Sequence, residues 1–170
     1  MRVSALLLVS VTLTLAASPS GTRAPLQPAD ARQPAPQFAL QDRSGKTIQR
    51  NEYRGKVVLL DFWATWCTGC KEEIPWFSGF QKTYGKQGLA VIGVSMDDGE
   101  WKVLRPFLTK NQIPYQVVLG NNATALSYGI ESLPDTFLID RKGRIAAAYR
   151  AGIVDRSDIE GNIRALLAKE

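Results

Sequence analysis

Histidine is absent from all 170 residues, and cysteine occurs only twice, as Cys67 and Cys70. These two shortages remove several chemistries. A Ser-His-Asp or Cys-His catalytic set has no base. A structural zinc site needs four ligands, ordinarily Cys and His, and two cysteines cannot close one without carboxylates. Haem attachment through C-x-x-C-H requires histidine at position 71, where Lys71 stands. A Cys/His copper-delivery module likewise lacks its histidine. The residues therefore imply no metal and no cofactor.

The chain is also short of long apolar runs. "VSALLLVSVTLTLAA", Val3 to Ala17, follows Arg2 and precedes small residues. It has the length of a signal peptide and falls short of the roughly 20 residues a spanning helix wants. The expectation is an export signal over residues 1–20, with cleavage between Ala16 and Ala24; the alternative is an uncleaved N-terminal anchor. No cysteine lies nearby to carry a lipid. Export places the domain where disulfides form, a periplasmic location. Acidic residues are outnumbered, 16 against 21 Lys and Arg, for a net charge of +5. The basic residues are scattered, however, and short runs such as "DRKGR" at Asp140–Arg144 sit at an expected turn, so no nucleic-acid surface is implied.

Five of the nine prolines fall between Ser18 and Pro36. Residues 21–36 read as a proline-rich linker, and the folded domain is expected over 37–170. Its length suits one domain with a real core. A Ser-Gly turn at Ser44–Gly45 suggests a lead-in hairpin. "KVVLLDFWA" and "LAVIGVSMD" are short apolar runs of the kind buried on both faces of a sheet. Helices are expected from the cysteines to Tyr84 with Gly85 as the stop, over Glu100–Asn111 despite Pro106, at "ATALSYGI", and over Asp155–Lys169. "YQVVLG", "DTFLID" and "RIAAAYRAG" complete the strands. Alternating strands and helices imply an α/β fold, a sheet flanked by helices and closed by an antiparallel ribbon.

"DFWATWCTGCKEE" puts Cys67 where a buried strand gives way to a helix, with Cys70 one turn on. A helix N-terminus stabilises a thiolate and lowers its pKa from about 8.5. Positions i and i+3 are close enough to bridge. The plain alternative is a structural staple, but a loop this short gives only about 2 kcal/mol by restraining the unfolded chain. Export, spacing and placement favour a redox pair in which one thiolate attacks and the other resolves. Asp61 interrupts an apolar strand, where ionisation is costly and its pKa should rise. It is a candidate to exchange a proton with Cys70; the plain alternative is a carboxyl turned to water. Glu73 sits one turn beyond Cys70 on the cysteine side of the helix, a second candidate to move protons; the plain alternative is an exposed helix-start glutamate favoured by the dipole. Glu72 faces solvent. Trp63 and Trp66 pack around the cysteines and offer an apolar face to partners, although core packing explains Trp63 as well.

"VVLLDFWATWCTGCKEEIP" (57–75) resembles the thioredoxin superfamily, and more closely its exported TlpA/ResA-like, AhpC/TSA-related thiol–disulfide oxidoreductases. The resemblance runs from about Gln37 to the C-terminus. It implies a thioredoxin fold with an N-terminal β-hairpin extension, a central helix–strand insertion between Glu100 and Gly120, and a mixed sheet. It aligns "LPDTFLIDRKGRI" (133–145) with the family's cis-proline strand. Pro134 would then be the cis residue facing the cysteines, and Leu133 would lend its backbone to an incoming peptide. Pro75 matches the family's helix kink. The resemblance implies protein thiols and disulfides as partners, a membrane-bound thiol reductant as electron donor, a monomeric state, and cytochrome c maturation as one role.

Three departures matter. Thr68-Gly69 stands between the cysteines, where the family often has proline before the second. No histidine is there to add a cation beside the thiolate, which favours a reductant. Asp135 follows the cis-proline candidate, where it would raise the pKa of Cys67 or select cationic partners. The rival enzyme is a thiol peroxidase, whose P-x-x-x-T-x-x-C pattern would need Pro and Thr where Leu60 and Ala64 stand. The rival from another class is a binding domain with a permanent disulfide.

Overall fold

A computed structural model describes residues 24–150 and 155–168. The expected signal or anchor at 1–20 lies outside them. The lead-in hairpin is present as β1 (Ala39–Gln41) and β2 (Thr47–Gln49), reversed at Gly45, whose φ of 84° suits a residue without Cβ. Asp42 fixes the turn by accepting from the Ser44 and Lys46 amides at 2.8 and 3.1 Å.

Next come β3 (Val57–Trp63) and α1 (Thr68–Tyr84), then β4 (Leu89–Ser95) and α2 (Glu100–Asn111). β5 (Gln116–Leu119) and α3 (Asn122–Tyr128) follow. β6 (Asp135–Ile139), β7 (Ile145–Tyr149) and α4 (Arg156–Ala168) complete the chain. The sheet order is β5-β4-β3-β6-β7. β3, β4 and β5 run parallel, whereas β6 and β7 are antiparallel to their neighbours. This is the mixed sheet of a thioredoxin-like α/β fold.

Every residue of β3 and β4 is buried, which is why both read as nearly continuous apolar runs, broken in β3 by Asp61. Alternate residues feed two cores. Val57, Leu59 and Trp63 face Ile74, Phe77 and Phe80 of α1, Leu104 of α2, and Ile159 and Ile163 of α4. Val58, Leu60 and Phe62 face the hairpin and Tyr128 of α3. Each fully buried aliphatic or phenyl side chain contributes about 1.5–3 kcal/mol. Pro75 sits inside α1 on its exposed side, where water can satisfy the carbonyl its missing N–H leaves free.

The helix ends at Tyr84 with Gly85 as its C-cap, as expected; Gly85 keeps right-handed geometry, φ −56°, and a 3-10 turn over Gly85–Gln87 follows before the chain reverses at Gly88, φ 104°. One expectation needs correction. The proline-rich stretch, expected as a linker through residue 36, lies against the domain from residue 24. Gln27 N–H donates to Ala146 at 2.8 Å, Ile145 N–H to Gln33 at 2.8 Å, and Ala35 N–H to Gly143 at 3.0 Å. Arg32 is buried and donates to Asp140 at 3.1 Å. Burial opposes ionisation of Asp140, but bonds from Arg144 and Arg32 hold its pKa below the usual carboxylate value. Proline content signals a lack of helix; it does not signal a lack of packing.

Candidate active site

Cys67 is the N-cap of α1, in extended conformation. The turn into the helix is set by two anchors. Cys67 N–H donates to Ala64 at 3.1 Å. The Asp97 carboxylate, just past β4, accepts from the Thr65 amide at 3.0 and 3.1 Å and from its hydroxyl at 2.6 Å. Ser95 holds Asp97 in turn, its hydroxyl donating at 2.8 Å. The sequence reading missed Asp97, for which an Asp closing an apolar strand was the available signal.

Cys67 and Cys70 form a disulfide with their Cα atoms 5.3 Å apart. The two sulfurs are not equivalent. Cys67 retains 6% exposure and Cys70 none. The Cys70 amide donates to Cys67 Sγ at 3.2 Å, so a charge on Cys67 would meet the helix start directly.

The Leu133–Pro134 peptide is cis. Pro134 lies against the cysteine turn: a Cβ built on Gly69 would stand 3.5 Å from Pro134 Cδ. β6 begins one residue later and pairs with β3, with Asp135 opposite Phe62 and Thr136 opposite Asp61. Strand pairing thus fixes the proline beside the disulfide. Leu133 is half-buried between the two cores.

Trp66 is 65% exposed beside Cys67, as a partner-facing residue would be. Trp63 is fully buried and belongs to the core, so of the two tryptophans only Trp66 lies at the surface. A groove of about 530 Å³ runs from Thr65 and Lys71 along Val103 and Phe107 of the inserted α2.

β3 and α1 each bury an acid, and the two interact. Asp61 is 1% exposed, and one of its oxygens accepts from Thr136 Oγ1 at 3.2 Å. Glu73 is 5% exposed and lies on the Cys70 side of the helix; it is not a surface glutamate, whereas Glu72 is exposed. Asp61 Oδ2, Glu73 Oε2, Trp63 Nε1 and the Tyr115 hydroxyl are all buried without a hydrogen-bond partner in the protein. Burial pushes the Glu73 carboxyl up to about 7, with Glu72 adding to the effect. Asp61 is held well above the carboxylate range by burial, then by the charges of Glu73 and Asp135, against the bond from Thr136. Burial, Asp61 and Glu73 likewise raise Tyr115 far above an ordinary phenol.

Tyr115 escaped the sequence reading because it precedes a strand from the insertion. Gly93 admits it. Gly93 pairs with Asp61 across β3 and β4, and a Cβ there would stand 2.8 Å from Trp63 Nε1 and 3.3 Å from Tyr115 Cε2.

Asp135, expected to act on Cys67 or on cationic partners, is turned elsewhere. It is buried, and it accepts from Arg150 Nη1 at 2.8 Å. It lies on the opposite face of β6 from Thr136, so the cation that it meets is the chain's own.

A disulfide between i and i+3 at a helix start, on the central strand and under a cis-proline, places the protein among the thioredoxin-fold thiol–disulfide oxidoreductases. A model of the AhpC/TSA family matches residues 31–148, and the chain belongs to that family. It is 32% identical over 133 residues to the thiol-disulfide oxidoreductase ResA of Geobacillus thermodenitrificans (strain NG80-2), covering 78% of this chain and 75% of that protein. With ResA of Bacillus subtilis (strain 168) it shares 36% over 113 residues, 65% of this chain and 62% of the relative. A Chlorobium tepidum structure assigned as thiol:disulfide interchange protein DsbE superposes with TM-score 0.72 at 29% identity, covering 88% of this chain and all of the other. A secreted thiol-disulfide isomerase from Corynebacterium glutamicum shares the fold, with TM-score 0.76 at 23% identity over 90% of this chain and 96% of that one. The protein is a thiol–disulfide oxidoreductase of the ResA/DsbE type, acting on protein thiols and disulfides.

Proposed function

We propose that this oxidoreductase works outside the cytoplasm as a reductase of selected protein disulfides, with Cys67 as nucleophile and Cys70 as resolving thiol. The observation that carries the assignment of roles is the asymmetry of the pair: Cys67 caps the helix and keeps a little exposure, while Cys70 has none. In the reduced protein the Cys67 thiolate attacks one sulfur of a target disulfide. The target's other sulfur leaves as a thiolate and takes up a proton. Cys70 then gives its proton to the buried acids and attacks Cys67 Sγ. The second target thiolate leaves, and the proton held inside returns to it or to solvent. Two electrons pass from the dithiol to the target, and the Cys67–Cys70 disulfide remains.

Glu73 and Asp61 are the proton carriers in this reading. A carboxyl titrating near 7 both accepts and releases a proton at neutral pH, and burial, with the neighbouring Glu73, also raises the Asp61 carboxyl well above its usual range. Trp66, Leu133 and Pro134 form the groove for an extended partner. Leu60 and Ala64 are fully buried and apolar, which leaves no hydroxyl of the thiol-peroxidase pattern beside Cys67.

Extracytoplasmic location rests on the expected signal at residues 1–20. No described helix is long and apolar enough to cross a membrane. A monomer, re-reduced by a membrane-bound thiol donor and serving cytochrome c maturation, is the role the ResA and DsbE likeness favours.

The test is the reduction potential of the Cys67–Cys70 couple, by equilibration with glutathione or dithiothreitol. A value near about −270 mV supports a reductase, and one near about −120 mV makes the protein a disulfide donor. Failure to equilibrate with either buffer leaves a stapled binding domain. Cys70→Ser should accumulate a mixed disulfide with the target through Cys67, detected by intact mass.

A further inference from the structure

The segment that carries cis-Pro134 is a five-residue crossing, 130–134, between the end of α3 and the start of β6. α3 stops at Gly129 in left-handed conformation, φ 65°, and Ile130 N–H returns to Ala125 at 3.0 Å. Beyond the crossing, Asp135 is locked in the β3–β6 ladder. One guanidinium spans the gap. Arg150 Nη1, just past β7, donates to Gly129 O at 2.7 Å and to Asp135 Oδ2 at 2.8 Å. Its Cζ stands 5.4 Å from the Phe137 ring centroid. Phe137 in turn packs edge-on against Tyr128 and Phe62, at 5.3 and 6.1 Å.

Those contacts tie together both ends of the crossing and the strand that leads to Cys67. An ion pair between two surface groups would carry little; here the Arg150 side chain is 54% exposed but its carboxylate partner only 2%, and both acceptors take hydrogens from a single nitrogen. Two anchors about a short crossing leave its last peptide, Leu133–Pro134, next to the anchored Asp135, little freedom.

We propose that Arg150 is a positioning residue for the partner groove, holding Leu133 and Pro134 at the distance from the disulfide that an extended protein partner requires. It touches neither sulfur. Its effect falls on partners that use the groove and bypasses disulfides too small to reach it. The inference rests on the groove reading given above, and the experiment separates the two.

The measurement is the second-order rate constant of the pre-reduced protein in single turnover, with insulin as protein disulfide and dithiobis(nitrobenzoate) as small one. Arg150→Met should lower the insulin rate relative to the small-disulfide rate, on the order of tenfold, as small displacements of positioning groups do. Arg150→Lys should recover most of it, since an ammonium also offers several hydrogens from one nitrogen. The pair Asp135→Asn with Arg150→Met strands no carboxylate and should keep the defect. Equal slowing of both substrates by Arg150→Met, or recovery in the double variant, would overturn the proposal. Pro134→Ala reports on the groove itself. If it leaves the ratio at the wild-type value, the groove reading has failed and the role of Arg150 falls with it. If it shifts the ratio and Arg150→Met does not, only the role of Arg150 is overturned.

Discussion

Glu73→Gln should change how stability depends on pH. In the unfolded chain the Glu73 carboxyl ionises near 4.5, and in the fold near 7. The folded protein therefore favours the protonated form. Below pH 4.5 both states carry the proton and the full contribution is present. As pH rises, the unfolded chain ionises first, and stability is lost progressively until the folded carboxyl titrates near 7. The difference between the two values, at about 1.4 kcal/mol per pH unit, makes the loss about 3 kcal/mol. Asp61 acts in the same direction. Asp42 and Asp140, with lowered values, act in the opposite sense, but below pH 4. Urea denaturation of the oxidised protein between pH 4 and 8.5 measures this. The gap between wild type and Glu73→Gln should be flat below pH 4.5 and then move by about 3 kcal/mol in favour of the variant by pH 8, or roughly 10 °C in Tm. A gap that stays constant across the range would refute the reasoning: Glu73 would ionise in the fold as it does in water.

Gly93→Ala should destabilise by about 1–3 kcal/mol, because the new methyl meets a buried indole that has nowhere to swing; thermal unfolding reads this, and an unchanged Tm would mean that Trp63 and Tyr115 yield freely. Arg32→Ala should leave the core intact and release the chain before Pro36 to limited proteolysis, since the buried bond to Asp140 is lost while Arg144 keeps that carboxylate paired. Cleavage at the same rate as in wild type would show that the backbone bonds suffice.

The parts of the fold legible beforehand are those whose signal is local. β3, apart from Asp61, and β4 read as apolar runs because helices or hairpin cover both faces. α2 tolerated Pro106 and was rightly read through it. The helix-start cysteines marked their own site. Pro134 became legible only through the family resemblance, since nothing in an isolated X-Pro pair says cis. Relations across the sheet stayed hidden. Tyr115 reaches the acids because Gly93, in another strand, has no side chain. Asp135 turns from the disulfide because strand alternation sends it to Arg150, on β7's far side in sequence. Trp63 and Trp66, alike in the motif, part company for the same reason: one ends a strand, the other lies in the turn. The residues that set proton chemistry and groove geometry come from different elements, and no spacing along the chain records their meeting.

The strip from Gln27 to Ala35 has a consequence for how the molecule keeps to itself. A bare edge strand is a template on which another chain can add. At the β7 end, that place is already taken by the protein's own earlier residues over Gly143–Ala146, and at the β5 end the hairpin reaches across, with Asp42 bridged to Val118. Within the strip Pro28 and Pro34 carry no N–H, so it covers the ladder while offering little with which to extend it. The prolines that make the stretch look like a spacer make it a terminator, and shortening the chain to residue 37 would uncover a sticky border.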